Sequence, residues 1–253
     1  MADAKRKAAD GEVAAKRKAF DTAPPQNARP KRMDGKCLIV TGSTQGCGET
    51  IALTLADEGA RAITICGRNA ENGARVKAAL EAKGCRALYV QADFDIPQQV
   101  QAVVDEHDRA FGRLDGLVNC AANAPRDAGD DDQLLERADQ MYRLNVRAPM
   151  LLMQGAVKIM QRLQSGGSIV NIGSINGFGG MPKLVAYSTS KGALLTMTKN
   201  LAHAKRSQRI RANYVAVGWM STPAEDAIQK WEGQPADWLA KADAASPVGR
   251  ILR

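Results

Sequence analysis

The sequence predicts an α/β protein built on a single doubly wound parallel sheet, and three observations indicate this class. Six short apolar segments alternate with longer helical segments from residue 36 onward. The apolar segments are continuous, which is typical of strands that helices cover on both faces. A glycine-rich turn follows the first of them. With 253 residues, the chain is long enough for one large domain of this kind and too short for two sizeable ones.

The predicted strands and helices follow one another regularly. An apolar or β-branched run indicates each strand, and a segment of helical character follows each of the first five. We expect strands at 37–41, 62–66, 87–91, 114–119, 168–172 and 210–217, with helices from the glycine turn to Asp57 and at 70–83, 97–111, 133–164 and 187–205.

Residues 1–33 differ from the rest in composition. They are rich in Ala, Lys, Arg and Pro and carry almost no large apolar side chain, so they cannot bury enough surface to offset the entropy of ordering. We expect a disordered basic arm over 1–33 and a folded domain over 34–253. The arm's basic clusters resemble a nuclear-localisation signal, and a solvated charge run is the simpler interpretation: Lys5-Arg6-Lys7, Lys16-Arg17-Lys18 and Lys31-Arg32.

The net charge of +8 is concentrated near the N-terminus. Residues 1–36 hold ten Lys or Arg and five Asp or Glu, whereas the rest of the chain holds 25 and 22. Nucleic-acid binding is therefore not expected, except through the arm. No uncharged apolar run approaches the roughly 18 residues of a membrane-spanning helix, and a secretory signal is not expected. We expect a cytoplasmic protein, with a nuclear location as the alternative that the arm offers.

The cysteine and histidine patterns argue against two classes of site. The five cysteines have no metal-ligand spacing, so we expect reduced thiols packed as small apolar side chains. Only two histidines are present, His107 and His203, both in polar helical surroundings. A metal site and a Ser-His-Asp triad are therefore not predicted.

The turn after the first strand has the pattern of a phosphate-binding loop. Three glycines, Gly42, Gly46 and Gly48, lie between a strand and a helix. Glycine permits positive φ and close approach of the backbone to a pyrophosphate, and the helix N-terminus adds unpaired N–H groups. We therefore expect a dinucleotide cofactor to contact Gly42, Ser43, Thr44, Gln45, Gly46 and Cys47.

The end of the second strand indicates which dinucleotide is bound. A ribose-binding acid would stand about 20 residues after the glycines, but the segment there reads Cys66-Gly67-Arg68-Asn69. Arg68 suits a 2′-phosphate, and the Ser43 or Thr44 hydroxyl could add a contact. This favours NADP(H), with NAD(H) as the alternative. Arg68 could also be a surface arginine at the start of a helix.

Further motifs stand in a fixed order along the chain: Asp93-Phe94, Asn119-Cys120-Ala121-Ala122, Leu144-Asn145-Val146, Ser174, Tyr187-x3-Lys191 and Asn213-x-Val215-x-Val217-Gly218, followed by Thr222. Together with the glycine turn, they resemble the short-chain dehydrogenase/reductase family from about residue 35 to residue 253. Cys120 stands where that family usually has Asn, and Val217 stands where it usually has Pro.

The resemblance implies a Rossmann-like strand order 3-2-1-4-5-6 and a set of residue roles. It implies that Asn145 anchors a water linking Lys191 to solvent and that Lys191 also holds the ribose hydroxyls. The implied catalytic residues are Asn145, Ser174, Tyr187 and Lys191. The further implied cofactor contacts are Asp93, Phe94, Asn119, Ala121, Tyr187, Lys191, Gly218 and Thr222.

The residue types account for the chemistry that the resemblance implies. Tyr187 and Lys191 are four residues apart, on one face of a helix. A free phenol has a pKa of about 10, and a nearby ammonium would favour the phenolate. Tyr187 could thus donate a proton to a carbonyl oxygen or accept one in the reverse direction, while Ser174 would hydrogen-bond to that same oxygen.

The segment 218–245 is where the family carries a mobile lid. It holds all three tryptophans of the chain and Met220. These apolar side chains indicate a medium-sized, partly apolar carbonyl or alcohol substrate, or alternatively only pack the lid on the body. The side chains concerned are Trp219, Trp231, Trp238 and Met220, with Phe178, Met181 and Leu184 before Tyr187.

The sequence stops before the further helix, seventh strand and tail that the resemblance implies. We therefore expect a sheet that ends at the sixth strand with an unpaired edge. The resemblance also implies a homo-dimer or homo-tetramer through the helices at 133–164 and 187–205. The predicted function is an NADP(H)-preferring oxidoreductase. The alternatives are a catalytically weak or inactive dinucleotide-binding or scaffold protein of the same fold, and a nuclear factor acting through the arm.

Overall fold

The computed structural model describes residues 31–127 and 132–253, and its folded unit is Met33–Arg253. Most of the predicted arm, including its first two basic clusters, lies outside the described residues. Six parallel strands form the sheet: β1 (Cys37–Thr41), β2 (Ala62–Gly67), β3 (Arg86–Gln91), β4 (Gly116–Asn119), β5 (Gly167–Ile172) and β6 (Ile210–Val215). Their order, β3-β2-β1-β4-β5-β6, confirms the predicted fold class and topology.

Helices connect consecutive strands and cover both faces of the sheet. They are α1 (Gly46–Asp57), α2 (Ala70–Ala82), α3 (Pro97–Phe111), α4 (Leu134–Met141), α5 (Ala148–Leu163), α6 (Val185–Lys205), α7 (Pro223–Trp231) and α8 (Trp238–Ala245), with short 3-10 turns at Ile175–Gly177 and Arg206–Gln208. Within the described ranges, no helix combines the length and apolar character needed to cross a bilayer.

Side chains that alternate along β1 build the two halves of the core. Ile39 packs on one face with Leu117, Ile169 and residues of α3 and α5. Leu38 and Val40 point to the other face, where they pack with Ile63 and residues of α1 and α2. Because both faces are buried, every residue of β1 is buried, and this accounts for the continuous apolar run in the sequence.

Several predicted boundaries differ from the structure by one or two residues, and one predicted helix is interrupted. The fourth strand begins at Gly116, not 114. The Asp115 N–H donates to the Cys37 carbonyl (2.8 Å), and the paired residues of the two strands start one position later, with Gly116 opposite Leu38. The sixth strand ends at Val215, not 217, and the backbone beyond it bonds the loop after β5. The helix predicted at 133–164 is divided by a π-helical segment, Tyr142–Arg147, which inserts an extra residue per turn.

The sixth strand lies at the edge of the sheet. Among the described residues it pairs only with β5, and Arg211, Asn213 and Val215 are exposed. A short parallel bridge between Met220 and Leu252 holds the lid segment to the last residues of the chain. All six strands run in the same direction, so their carboxyl ends and the loops that follow them meet at one side of the sheet.

His107 is fully buried on α3, although its sequence surroundings are polar. Its Nε2 lies 2.9 Å from the Arg113 carbonyl, which can only accept, so Nε2 carries the hydrogen. The Thr64 hydroxyl therefore donates to Nδ1 at 2.7 Å. Burial lowers the pKa of His107 to about 4, so the ring is a neutral structural link between α3 and β2.

We predict that the free energy of unfolding decreases as the pH falls from about 6.5 toward 4. The unfolded chain takes up a proton on His107 in this range, whereas the folded chain does not. The loss should approach roughly 3 kcal/mol by pH 4. Urea unfolding at a series of pH values measures it. His107→Gln should flatten this part of the profile, and His203→Gln, at an exposed position on α6, should not. An unchanged slope in His107→Gln would contradict the assignment.

Candidate active site

The glycine turn packs against the end of β4. Gly42 has φ of +62°, and a Cβ there would lie 2.7 Å from the Ala121 Cα, so only glycine fits. Gly46, at φ of +57°, has open space where a side chain would stand. Gln45 makes no side-chain capping hydrogen bond to α1. The turn therefore presents open backbone and the N-terminus of a 12-residue helix to one cavity, as a pyrophosphate requires.

The two hydroxyl residues of the turn point in different directions. Ser43 is fully buried, where its hydroxyl donates to the Val40 carbonyl (2.6 Å) and accepts from the Cys66 N–H (3.1 Å). It ties β1 to β2 and does not line the cavity. Thr44 does line it. Its Oγ1 packs directly on Gly67 at the end of β2, where a Cβ would lie only 2.6 Å away. Of the two hydroxyls predicted to meet a 2′-phosphate, Thr44 is the one in position.

A cavity of about 390 Å³ extends from this turn across the ends of β2 and β3. The Arg68 guanidinium is exposed at its rim and has no partner among the described residues. The Tyr89 hydroxyl donates to the Gly67 carbonyl (2.9 Å) and so fixes the backbone beside Arg68. The remaining sequence-predicted residues in the lining are Gly42, Gln45, Gly46, Cys47, Asp93, Phe94, Ala121 and Thr222.

Asn119 is, like Ser43, a predicted cofactor residue that lies outside the lining of this cavity. Its side chain is buried and donates to the Asn171 Oδ1 (2.7 Å), and Asn171 in turn donates to the Thr198 hydroxyl (2.8 Å). Asn119 therefore links β4, β5 and α6 from outside the cavity lining. Sequence reasoning missed several lining residues, which follow β3 and β4 or lie on the helix after them: Asp95, Cys120, Ala122, Asn123, Gln140 and Leu144.

A second cavity of about 640 Å³ contains Ser174, Tyr187 and Lys191. The two cavities have Cys47, Cys120, Ala122 and Thr222 in common, so they adjoin. Ser174 lies in the loop after β5, whereas Tyr187 and Lys191 lie on α6, and the structure brings the three to one wall. Gly218 lines this second cavity and not the first, so its predicted cofactor role has less support than that of Thr222.

Lys191 is almost completely buried at the base of this wall. Its Nζ donates to the Ile172 carbonyl at the end of β5 (2.9 Å) and lies 5.6 Å from the centre of the Tyr187 ring. Burial lowers the pKa of Lys191 to about 8. The amine therefore carries a weakly held proton close to neutral pH, at a position that joins α6 to the sheet.

Burial raises the pKa of Tyr187 above that of a free phenol, and a hydrogen bond with the Ser174 side chain opposes this rise. Desolvation of the phenolate is the largest effect, and Arg126 is a charged group that lowers the pKa of Tyr187. The predicted effect of Lys191 on the phenolate stays a prediction. Tyr187 is a protonated phenol at neutral pH, which suits it to donate.

Asn145 lies in the π-helical segment and is buried. Its amide oxygen accepts from the Asn123 N–H (3.2 Å), and its amide nitrogen donates to the Asn123 carbonyl and to the Ser190 hydroxyl (both 3.0 Å). The side chain therefore ties the loop after β4 to α6. Because protein groups occupy both ends of the amide, the predicted water-anchoring role stays a prediction.

Asp127 supports α6, the helix that carries Tyr187 and Lys191, from a distant part of the chain. Its carboxylate accepts from the N–H groups of Val185 (2.9 Å) and Ala186 (3.2 Å), the first residues of α6. This cap satisfies helix donors that have no intrahelical partner. No local spacing signals it, because 58 residues separate Asp127 from Val185.

The lid segment contributes one tryptophan to the substrate side. Trp219 lines the second cavity, and its indole donates to Glu225 (2.9 Å), which also pairs with Arg126 (2.9 Å). Trp238 is instead buried against Ala242 and Ile251, and its indole donates to Asp226 on α7 (3.0 Å). Trp231 is 79% exposed and Phe178 66% exposed, and neither lines the cavity. Met181, Leu184 and Met220 do line it, as predicted.

Comparison with known proteins identifies related chains. The sequence profile of the family described as short chain dehydrogenase matches residues 36–233. A 3beta-hydroxysteroid dehydrogenase of Mediterraneibacter gnavus is 34% identical over 76% of this chain and 68% of its own length. Tropinone reductase-like 3 of Erythroxylum coca is 36% identical over 80% and 76%. An actinorhodin polyketide ketoreductase variant crystallised with NADPH is 26% identical, covers 87% and 85%, and superposes with a TM-score of 0.79.

We predict that Cys47 is the most reactive thiol of the protein. A hydrogen bond from the Cys120 thiol lowers the pKa of the half-buried Cys47 to about 7, whereas burial raises the pKa of Cys37, Cys66 and Cys85. Iodoacetamide at pH 7 should alkylate Cys47 about ten times faster than the other thiols. NADP⁺ should slow this labelling, because Cys47 lines the first cavity.

Peptide mass spectrometry over a time course measures the rates. Cys47→Ser should remove the fast phase, and Cys85→Ser should preserve it. A different cysteine reacting first, or labelling that NADP⁺ does not slow, would contradict the placement of this thiol.

Proposed function

Because this chain belongs to the short-chain dehydrogenase family, we propose that it interconverts a carbonyl and a secondary alcohol with NADP(H) as the preferred cofactor. It is an NAD(P)-dependent oxidoreductase. Its relatives are named as dehydrogenases and reductases, which supports a reaction at a carbonyl or alcohol group. The observation that carries the finer proposal is the meeting of Ser174, Tyr187 and Lys191 in a cavity that adjoins the glycine turn.

The residues of the first cavity fit a dinucleotide phosphate. The turn offers open backbone at Gly46 and a helix N-terminus, and the acid that would bind a 2′-hydroxyl is absent at the end of β2. Arg68 and Thr44 stand at that position instead. A guanidinium at the rim and a hydroxyl in the wall match the charge and hydrogen-bonding needs of a 2′-phosphate.

The cofactor supplies or accepts the hydride when it is bound. Tyr187 donates its proton to the substrate oxygen in reduction and recovers it in oxidation. The Ser174 Oγ accepts from the Asn176 N–H (3.1 Å), and its hydroxyl, which bonds to the Tyr187 side chain in this structure, would donate to a substrate oxygen that lies beside both residues. Lys191 holds a readily exchanged proton near Tyr187 and fixes α6 on β5. Glu225, Trp219 and Thr222 close the site from the lid side.

The second cavity supports a medium-sized and partly apolar substrate. Its volume of about 640 Å³ lies within the range of drug-sized ligand sites. Leu184, Met181 and Met220 supply apolar walls, and Arg126 is neutralised by Glu225 (2.9 Å) and Glu232 (3.6 Å). Among the relatives, one is named for a hydroxysteroid and another for a polyketide.

We also propose a homo-oligomer and a cytoplasmic location. Large apolar side chains are exposed along the segment predicted to form the interface: Leu135, Tyr142, Met150 and Leu163. Such side chains favour burial against a second copy. The five free cysteines are consistent with a reducing compartment.

We predict that Tyr187→Phe lowers kcat by a factor of about 10² to 10⁴ and leaves NADPH binding within about twofold, because only the donated proton is lost. NADPH fluorescence measures binding. NADPH oxidation with diketones, ketosteroids, quinones and sugar-derived ketones measures turnover. Tyr142→Phe removes the same atom at an exposed position and should keep wild-type turnover.

A Tyr187→Phe variant as active as the wild type would remove this phenol from the mechanism. NADPH binding without turnover on any ketone, in the wild type, would instead support a non-catalytic dinucleotide-binding protein.

We predict that Arg68→Ala raises the KM for NADPH by about 10- to 100-fold and changes the KM for NADH by less than about twofold, because only NADPH carries the 2′-phosphate. Arg109→Ala, at an exposed position on α3, is the matched control and should change neither value. Initial rates with each cofactor on one ketone measure both constants. Equal losses with both cofactors would show that Arg68 does not select NADPH.

A further inference from the structure

We propose that Tyr214, on β6, is a positioning residue that fixes the backbone of Ser174 and thereby aims the serine hydroxyl at the substrate oxygen. This inference rests on the proposed function, because it assigns Tyr214 a task in the same catalytic wall. The usual motifs of the sequence do not mark Tyr214, which occupies the variable position after Asn213.

The phenol of Tyr214 satisfies both backbone groups of Ser174. Gly173 and Ile175 donate their N–H groups to the β6 side, to the carbonyls of Val215 (2.8 Å) and Val217 (3.0 Å). The backbone groups of alternate residues in an extended strand point to opposite sides, so those of Ser174 point away from β6. The Tyr214 Oη accepts from the Ser174 N–H (2.8 Å) and donates to the Ser174 carbonyl (2.9 Å).

Two glycines make room for this arrangement. The Tyr214 ring occupies the space beside Gly173, where a Cβ would lie 1.9 Å from the ring Cζ. A Cβ on Gly177 would lie 2.4 Å from the Tyr214 Oη. Phe178 packs its edge on the Tyr214 ring, with centroids 6.0 Å apart and planes at 85°. The ring thus crosses over Gly173 and is held on both sides.

The other restraints on Ser174 come from the short turn after it, where the Ser174 carbonyl also accepts from the Gly177 N–H (3.0 Å). The loop that carries Ser174 follows the last paired residue of β5, Ile172, and is flanked by Gly173. The Ser174 Oγ accepts from Asn176 and bonds to Tyr187, so its position depends on a backbone that the phenol holds. Burial raises the pKa of Tyr214, which keeps the phenol neutral and able to donate and accept together.

Loss of this hydroxyl alone would leave the Ser174 N–H without a partner and the Ser174 carbonyl with the Gly177 N–H (3.0 Å), while the ring still fills the space. The Ser174 side chain would then sample orientations that do not face the substrate. Preorganised donors of this kind act only when they are held in place before the reaction. The expected consequence is a loss of kcat with little change in cofactor binding, since Tyr214 does not line the first cavity.

The test is a double-mutant cycle between Tyr214→Phe and Ser174→Ala in the full chain. Tyr214→Phe alone should lower kcat about tenfold and leave the NADPH Kd within about twofold. In the Ser174→Ala background, the same change should cost less than about twofold, because the group that Tyr214 positions is already gone. Equal losses in both backgrounds would mean a general structural role and would overturn the proposal.

Amide hydrogen exchange supplies a readout that does not depend on turnover. Tyr214→Phe should speed exchange in the peptide that contains Ser174 by about tenfold or more. Unchanged exchange would overturn the proposal. If the wild type lacks turnover on every ketone, the proposed function fails, and exchange still decides the contact between Tyr214 and Ser174.

A second variant covers the case in which Tyr214→Phe does not fold. Gly177→Ala keeps the phenol and displaces its oxygen, so it should reproduce the loss of kcat and the faster exchange at Ser174. Exchange is its deciding readout, because the new Cβ would also lie 3.0 Å from the Lys191 carbonyl oxygen. Tyr142→Phe is the control for removal of a phenol hydroxyl elsewhere and should leave both readouts unchanged. Wild-type kcat and exchange in Gly177→Ala would also contradict the proposal.

Discussion

The active site depends on how α6 docks against the carboxyl end of β5. The buried Lys191 amine joins the helix to β5 through the Ile172 carbonyl, and the Asp127 carboxylate, from the loop after β4, holds the first N–H groups of the helix. An amine in this position is desolvated and holds its proton weakly. The same contact that orders the helix therefore brings Tyr187 to Ser174 and gives the site an exchangeable proton near neutral pH.

The rest of the site follows from the parallel sheet. Because all six strands run in one direction, the glycine turn, the loops after β2 and β4, and the Ser174 loop all leave the sheet on the same side. Gly42 lets the first turn pack on Ala121, and Gly173 lets Tyr214 cross to Ser174. Close backbone approach thus serves cofactor recognition at one end of the site and serine placement at the other.

The sequence was sufficient for the fold, because continuous apolar strands and periodic helices are local signals. It also located the residues whose motif spacing reflects local geometry, such as the Tyr187–Lys191 pair on one helix. It could not locate Asp127 or Tyr214, which act through contacts between segments far apart in the chain. It misjudged Ser43, because a polar residue in a loop gives no local sign that the fold uses its hydroxyl. The sign of the Tyr187 pKa shift also depends on burial, which the spacing does not report.

The central claim is that Ser174, Tyr187 and Lys191 form one wall beside the cofactor. The most direct measurement is a crystal structure of the full chain with NADP⁺. We predict that the adenosine half lies along the first cavity and that the nicotinamide reaches the junction of the two cavities at Cys120 and Thr222, next to Tyr187 and Lys191. A dinucleotide bound elsewhere, or a Lys191 amine turned away from β5, would contradict the account.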